Sequence, residues 1–348
     1  PLHSLPRRSC RAVPSCAEPY SAQYIGEVAK KVACLKYRQL YRLTNGMEQQ
    51  KYRHALDTAC GMHTFHERET LSFGDISVTP YFVSHSAYDA YMFLIEAEGV
   101  RILHTGDFRG HDYLSRGLLP MIQKHIGQVD VLLIEGTMLG RKSETVLTED
   151  ALCEKAAELM KQHKYVFVLC SSTDMERFAS FKNADSRMFP HRPLIADAYQ
   201  KAVLDIFTSS AGKRPFYFDF GTIYVYSDLN QKLNEWMTRH GFTMFIRSSE
   251  KFHKSLDRLL SMLPVEEQPF FVYSMWEGYM NKPQTLKKEY MILENRFDKH
   301  EQLYTSGHAT MEILCEVYRL TNSWSTIVPI HRERTSDFAT SIGIATRQ

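Results

Sequence analysis

Five side chains able to bind a cation or move a proton stand where a strand-like run gives way to a loop. His85 follows "PYFVS", Asp107 follows "RILHTG", Glu135 closes "VDVLLIE", and His331 follows "STIVPI". His308 lies in "YTSGHA", between a strand-like and a helix-like stretch. Strand ends are where α/β proteins build sites, because a rigid sheet presents side chains to the loops beyond it. Imidazole and carboxylate together suit Zn2+ or a similar divalent ion, and the same groups serve as general acids and bases. One such residue is ordinarily structural; five, each after an apolar run, point to a shared site.

The elements that must position them are legible along the chain. "IGEVAKKVACLKYRQLYRL" has an apolar helical face. "DISVTPYFVSH" is rich in β-branched and aromatic residues, and "YMFLIEAEGVRILHTGDF" reads as two strands joined across Glu98-Gly99. "VDVLLIEG" reads as a buried strand. The helix "TEDALCEKAAELMKQHK" follows, with Thr148 as its N-cap and acids in its first turn. Strand–helix pairs then alternate: "YVFVLC" with "STDMERFASFKNA", "RPLIADA" with "AYQKAVLDIFTSS", "TMFIR" with "SEKFHKSLDRLLSML". "PFFVYSM" precedes "LKKEYMILENRF", "QLYTSGH" precedes "ATMEILCEVYRLTN", and "STIVPIH" is the last strand. This alternation predicts an α/β fold with a mostly parallel sheet covered on both faces. "SSAGKRPFYFDFGTIYVYSDLN" is expected to be an internal loop region.

The 348 residues are 44% hydrophobic and 24% charged, with a formal net charge of +2. That is enough apolar sequence for a large core or two domains. The charge balance neither announces nor excludes nucleic acid, since a basic groove can sit on a near-neutral protein. Seven cysteines at irregular spacing, with no CxxC, suggest a reducing compartment and buried thiols rather than a disulfide framework. No apolar run reaches the length of a membrane span, and the first residues lack an apolar signal region. The expectation is a soluble cytoplasmic protein without a membrane partner.

The segment "VSHSAYDAYMFLIEAEGVRILHTGDFR" resembles the third and fourth motifs of the metallo-β-lactamase fold, and most resembles the β-CASP nucleases of the ribonuclease J and polyadenylation-factor type. "LLIEGT" resembles that family's motif A, "TSGHA" its motif B and "VPIHRE" its motif C. The resemblance runs over about residues 71 to 335, in the family's order. It implies a partial metallo-β-lactamase αββα sandwich with an inserted α/β β-CASP domain of mostly parallel sheet. The expected organisation is an unpatterned segment over 1–24, a metallo-β-lactamase-like part over 25–147, a β-CASP insert over 148–303 and a return over 304–348.

The resemblance also implies roles. His85 would ligate one metal ion, His331 the other, and Asp107 would bridge two divalent ions, Zn2+ or Mn2+. His308 would stabilise phosphoryl charge or protonate the leaving oxygen. Glu135 would orient a metal-binding histidine. Ser306, Gly307 and Ala309 would offer donors to a phosphate ahead of the following helix, with Ser172, Thr173 and Asp174 as further backbone contacts or simply an N-cap. A histidine in motif C is the pattern of RNA-processing members, so RNA is the expected partner; relatives often dimerise, so a homodimer is a second expected partner.

The family's HxHxDH loop has no counterpart here: the chain contains no HxH. Cys60, His63 and His66 imitate a zinc pattern but lie just before the motif 3 strand, which argues for an exposed hairpin. Three remaining ligands for two ions leave each undersupplied. The expectation is an amino-terminally truncated or frame-altered copy of a larger nuclease, with a sheet edge or apolar surface left uncovered. Three functions compete: a metal-dependent phosphodiesterase acting on RNA, a non-catalytic nucleic-acid-binding member, and a small-substrate metallo-hydrolase for a lactone, thioester or β-lactam. The inserted α/β segment and "TSGHA" weigh against the third.

Overall fold

A computed structural model describes residues 22–139, 146–210, 218–281, 288–322 and 326–332. The unpatterned start of the chain lies outside these residues. The chain divides into two compact units, one from Pro1–Val146 with Ser306–Gln348 and the other spanning Leu147–Thr305.

The first unit opens with a short strand, β1 (Tyr24–Gly26), and a helix, α1 (Glu27–Leu43), which buries Val28, Val32 and Ala33. Gly26 precedes α1 without a capping side chain of its own. Asp89 supplies the cap from far along the chain: its Oδ2 accepts the Ala29 N–H at 2.7 Å. A side chain at position 26 would collide with that carboxylate, so the close approach requires glycine. A second helix, α2 (Gly46–Gly61), follows and buries only Ala59. It was not anticipated, because its sequence is polar on most faces.

β2 (His63–Phe65) pairs in parallel with β1, so His63 sits in a parallel two-stranded ribbon and not in the expected hairpin. Then come β3 (Leu71–Phe73), β4 (Ile76–Val83), β5 (Ala90–Ala97), β6 (Val100–His104) and β7 (Val131–Glu135). The β5–β6 connection is the expected tight turn: Glu98 has φ 52° and Gly99 φ 79°, the left-handed pair that matches strand twist.

In the second unit α3 (Glu149–Lys161) starts at Thr148, whose Oγ1 accepts the Ala151 N–H at 3.1 Å. There follow β8 (Tyr165–Cys170), α4 (Met175–Met188), β9 (Leu194–Ala196), α5 (Ala198–Ser210), β10 (Ile223–Val225), α6 (Gln231–His240), β11 (Phe242–Ile246), α7 (Glu250–Met262), β12 (Phe270–Ser274), α8 (Lys288–Glu294) and β13 (Lys299–Gln302). They form a six-stranded sheet in the order β10-β9-β11-β8-β12-β13, parallel at every pairing. Each residue of β8, β11 and β12 is buried, which is why these strands read as unbroken apolar runs. Two expectations are corrected. The strand near "QLYTSGH" lies earlier, over the exposed Lys299–Gln302, and the segment expected to be loop contains β10.

The chain returns to the first unit through α9 (Met311–Thr321) and β14 (Thr326–Ile330). Its sheet runs β14-β7-β6-β5-β4-β3. Pairing is antiparallel from β3 to β6 and parallel from β6 to β14, so this sheet is mixed. Pro329 in β14 sits on an edge strand, where a missing N–H is tolerated. At the other edge Phe73 and Ile76 are exposed, with Tyr24 set edge-on against the Phe73 ring. The core on one face packs Leu103, Leu132 and Ile134 with Phe108, Ile122, Leu314 and Val317. Among the described residues no helix is long and apolar enough to cross a membrane.

Candidate functional site

Strand direction brings the candidate residues to one edge. β4 and β6 are both antiparallel to β5 and therefore run the same way, and β7 and β14 are parallel to β6. The carboxyl ends of β4, β6, β7 and β14 thus lie along one edge of the sheet, with β5 between β4 and β6. His85 comes two residues after β4, Asp107 three after β6, Glu135 ends β7, and His331 follows β14 directly. Gly106, at φ 57°, turns the chain just before Asp107.

Glu135 is wholly buried and its carboxylate is fully engaged. Oε1 accepts the N–H groups of Phe108 and Ala309, each at 3.0 Å, and Oε2 lies 2.8 Å from His308 Nδ1. A buried carboxylate is tolerated only when donors replace its water. This one ties the loop after β6 to the loop before α9. It makes His308 Nδ1 the protonated nitrogen. Glu135 therefore orients His308, and not either histidine that the resemblance assigns to metal.

His85 is buried, with Nδ1 2.6 Å from the Gly307 carbonyl, which fixes Nδ1 as the donor. Its Nε2, 3.3 Å from Ser86 Oγ, carries the lone pair. Burial first, and then the neighbouring His308, push its pKa down to about 4, so the ring is neutral near pH 7. The rings of His85 and His308 sit 5.1 Å apart at 60°. Gly307 allows this: a Cβ there would lie 2.8 Å from Ser86 Cβ.

His331 adopts φ 56°, a left-handed conformation uncommon for a side-chain-bearing residue. Its Nδ1 lies 2.5 Å from Asp107 Oδ1. That hydrogen bond raises the His331 pKa. Burial alone would raise the Asp107 carboxyl, but the His331 hydrogen bond and the charge of His308 hold it below its ordinary value.

Among the described residues one group has metal-ligand spacing: donor atoms of Asp107, Glu135 and His308 lie within 4.8 Å of one another. This is not the set His85, Asp107 and His331 expected from the resemblance. The donor chemistry suits a divalent cation, and each histidine has one nitrogen anchored, as ligating histidines do. The count does not suit two ions. Glu135 is spent on three donors, and too few free donors remain for a pair of ions with their own ligand sets. Cys60, His63 and His66 form no such group.

The expected phosphate donors are corrected in part. The Ala309 N–H is taken by Glu135, and the Ser306 hydroxyl accepts the His308 N–H at 3.1 Å and donates to Met138 Sδ at 3.4 Å. A buried N–H must find a partner, and these find theirs within the protein. The Gly307 carbonyl serves His85. Ser172, Thr173 and Asp174 belong to the second unit; Asp174 caps α4, its Oδ1 accepting the Arg177 N–H at 3.2 Å, and Thr173 Oγ1 lies 3.1 Å from Ser171 Oγ.

A brace of buried polar groups, which no strand-end motif announces, ties the loop after β6 to Ser84 at the end of β4. Arg109 and Asp112, both with buried side chains, form an ion pair. Asp112 also holds Ser84 and accepts the Ser115 N–H at 2.9 Å, while Arg109 N–H donates to Ser84 O at 2.8 Å. His111 Nε2 lies 2.8 Å from Ser306 O. The Arg-x-x-Asp spacing after Asp107 was the available signal.

No family model matches the chain. No curated protein matches it either. A solved structure does: the crystal structure of a protein of unknown function from Enterococcus faecalis V583, with a TM-score of 0.64, 18% identity, and coverage of 89% of this chain and 70% of that one. At that identity the likeness speaks for the α/β fold alone.

Proposed function

We propose that this chain is a phosphodiester hydrolase of the β-CASP type acting on RNA and dependent on divalent metal ions, built on a metallo-β-lactamase-like sheet with an inserted α/β unit. The observation that carries the proposal is the convergence of His85, Asp107, Glu135, His308 and His331 on one sheet edge, with the histidine nitrogens pinned by Glu135, Asp107 and the Gly307 carbonyl. In this reading His308 gives the phosphoryl group a hydrogen bond or a proton, while Glu135 stabilises the positive charge on the ring. Asp107 and His331 hold each other in place at the position where cations would sit. The ligands present do not complete a two-ion centre, so no step is assigned to metal.

That same shortfall favours a second reading, a non-catalytic nucleic-acid-binding member. One experiment separates the two. Purified protein is assayed for bound zinc and manganese and for cleavage of labelled single-stranded RNA, with and without a chelator. The hydrolase reading expects metal content and chelator-sensitive cleavage, both lost in Asp107→Ala. RNA retention that weakens with salt, without cleavage or metal, supports the binding reading. Cleavage unaffected by Asp107→Ala ends the metal-dependent proposal.

A further inference from the structure

The cysteines were expected to be buried. Cys153 and Cys170 are, but Cys34 is only partly covered and Cys60 is exposed. These two lie on different helices, Cys34 in α1 and Cys60 in the last turn of α2. Their sulfurs are 3.0 Å apart, across 26 residues of sequence. A disulfide needs a separation of about 2.05 Å, so a small side-chain movement closes the gap. Among the described residues the only group with ion-binding spacing is elsewhere.

The surroundings give the pair a purpose. α2 buries a single residue, Ala59, so little apolar surface holds it to the rest of the fold. Its carboxyl end is held by Lys30 of α1, whose Nζ donates to Met62 O at 2.5 Å. The same amino-terminal turn of α1 is fixed by Asp89, which lies in the loop that also carries His85. A bond between the two sulfurs would lock α2 to α1, and α1 is already tied to that loop.

We propose that Cys34 and Cys60 form a reversible disulfide that clamps α2 to α1 in response to a peroxide oxidant. Cys60, the exposed thiol, meets the oxidant first. Its thiolate attacks one peroxide oxygen; the O–O bond breaks, hydroxide leaves and takes up a proton, and Cys60 becomes a sulfenic acid. Cys34 then attacks that sulfur, losing its proton as the S–S bond forms, and the second oxygen leaves as water. The two thiols give up two electrons and two protons, and hydrogen peroxide becomes two waters. Burial and the neighbouring Cys60 thiol raise the Cys34 pKa to about 11, so Cys34 rests as the thiol and its attack on the sulfenic sulfur requires loss of its proton in that step and quickens as pH rises. A dithiol reductant reverses the reaction by exchange. None of this depends on the proposed hydrolase activity.

The test uses the full chain treated with hydrogen peroxide near stoichiometry, quenched, and digested without reduction. Peptides containing Cys34 and Cys60 are expected to appear joined, with loss of two hydrogens, and to separate with dithiothreitol. Amide exchange in α1 and α2 is expected to slow by about tenfold or more on oxidation and to recover on reduction. Cys60→Ser should leave Cys34 as a free thiol at the same peroxide dose. Cross-links that map to Cys10 or Cys16 would overturn the proposal. So would Cys60 advancing to sulfinic acid beside a free Cys34, or a joined pair with unchanged exchange. The measurement on the unaltered chain stands even if the serine variant does not fold.

Discussion

A methyl group on residue 307 would lie 2.8 Å from both Cβ and Oγ of Ser86 and 3.4 Å from His85 Cε1. The Ser86 Cβ cannot rotate away, since it is fixed by the backbone. Gly307→Ala is therefore expected to destabilise the protein by about 1–3 kcal/mol, as overpacked sites do, read as a fall in the urea midpoint. His85 supplies a second expectation. Its folded pKa, about 4, lies below the unfolded value of 6.5. The unfolded chain thus takes up the proton first, and the neutral ring's contribution is complete above 6.5 and lost as pH falls toward 4. For a ring this buried the loss is on the order of 3 kcal/mol. Urea titrations of metal-free protein between pH 7 and 4 should show this slope, and His85→Gln should flatten it. An equal slope in the variant would assign the titration to other groups.

At the scale of elements, α1 depends on a carboxylate from another part of the chain. Asp89 accepts the Ala29 N–H and the Tyr91 hydroxyl, the latter at 2.6 Å. Its φ of 74° is one that Asp accepts more readily than Ala. Asp89→Ala is expected to fray the first turn of α1 and to lower stability by about 1 kcal/mol, with faster exchange at Val28 and Ala29. Asp89→Asn keeps an acceptor and should lose less. This cap was not legible in the sequence, whereas that at Thr148 was, because Thr148 stands next to the helix it caps and Asp89 is 60 residues from its partner. The strand-end residues were legible because each follows an apolar run. The fate of the Ala309 N–H was not, since Glu135 is 174 residues away. β13 was misplaced because all four of its residues are exposed and offer no apolar signal. α2 escaped notice for the same physical reason.

At the scale of the whole chain, the second unit enters and leaves at one point: Thr305 Oγ1 donates to Leu147 O at 2.5 Å. Just inside that point a buried network joins its first helix to its last residues. Arg177 pairs with Glu149 at 2.9 Å and donates to Ser274 Oγ at 2.7 Å and Thr305 O at 3.2 Å, while Ser180 Oγ donates to Glu149 Oε2 at 2.6 Å. Every member belongs to Leu147–Thr305, as does the apolar core built on Phe167, Phe242, Met244 and Phe271. A unit with its own core, its own parallel sheet and adjoining ends satisfies the conditions for independent folding. Excised as residues 147–305, it is expected to give a helical circular dichroism spectrum and a single cooperative thermal transition. Within it Arg177→Ala removes the cation paired with the buried Glu149 carboxylate, and the expected loss is about 3–5 kcal/mol. A spectrum lacking helix, or a melt without cooperativity in the excised chain, would show that its stability is borrowed from the residues on either side. An unchanged midpoint in Arg177→Ala would mean that water reaches the Glu149 carboxylate and replaces the guanidinium.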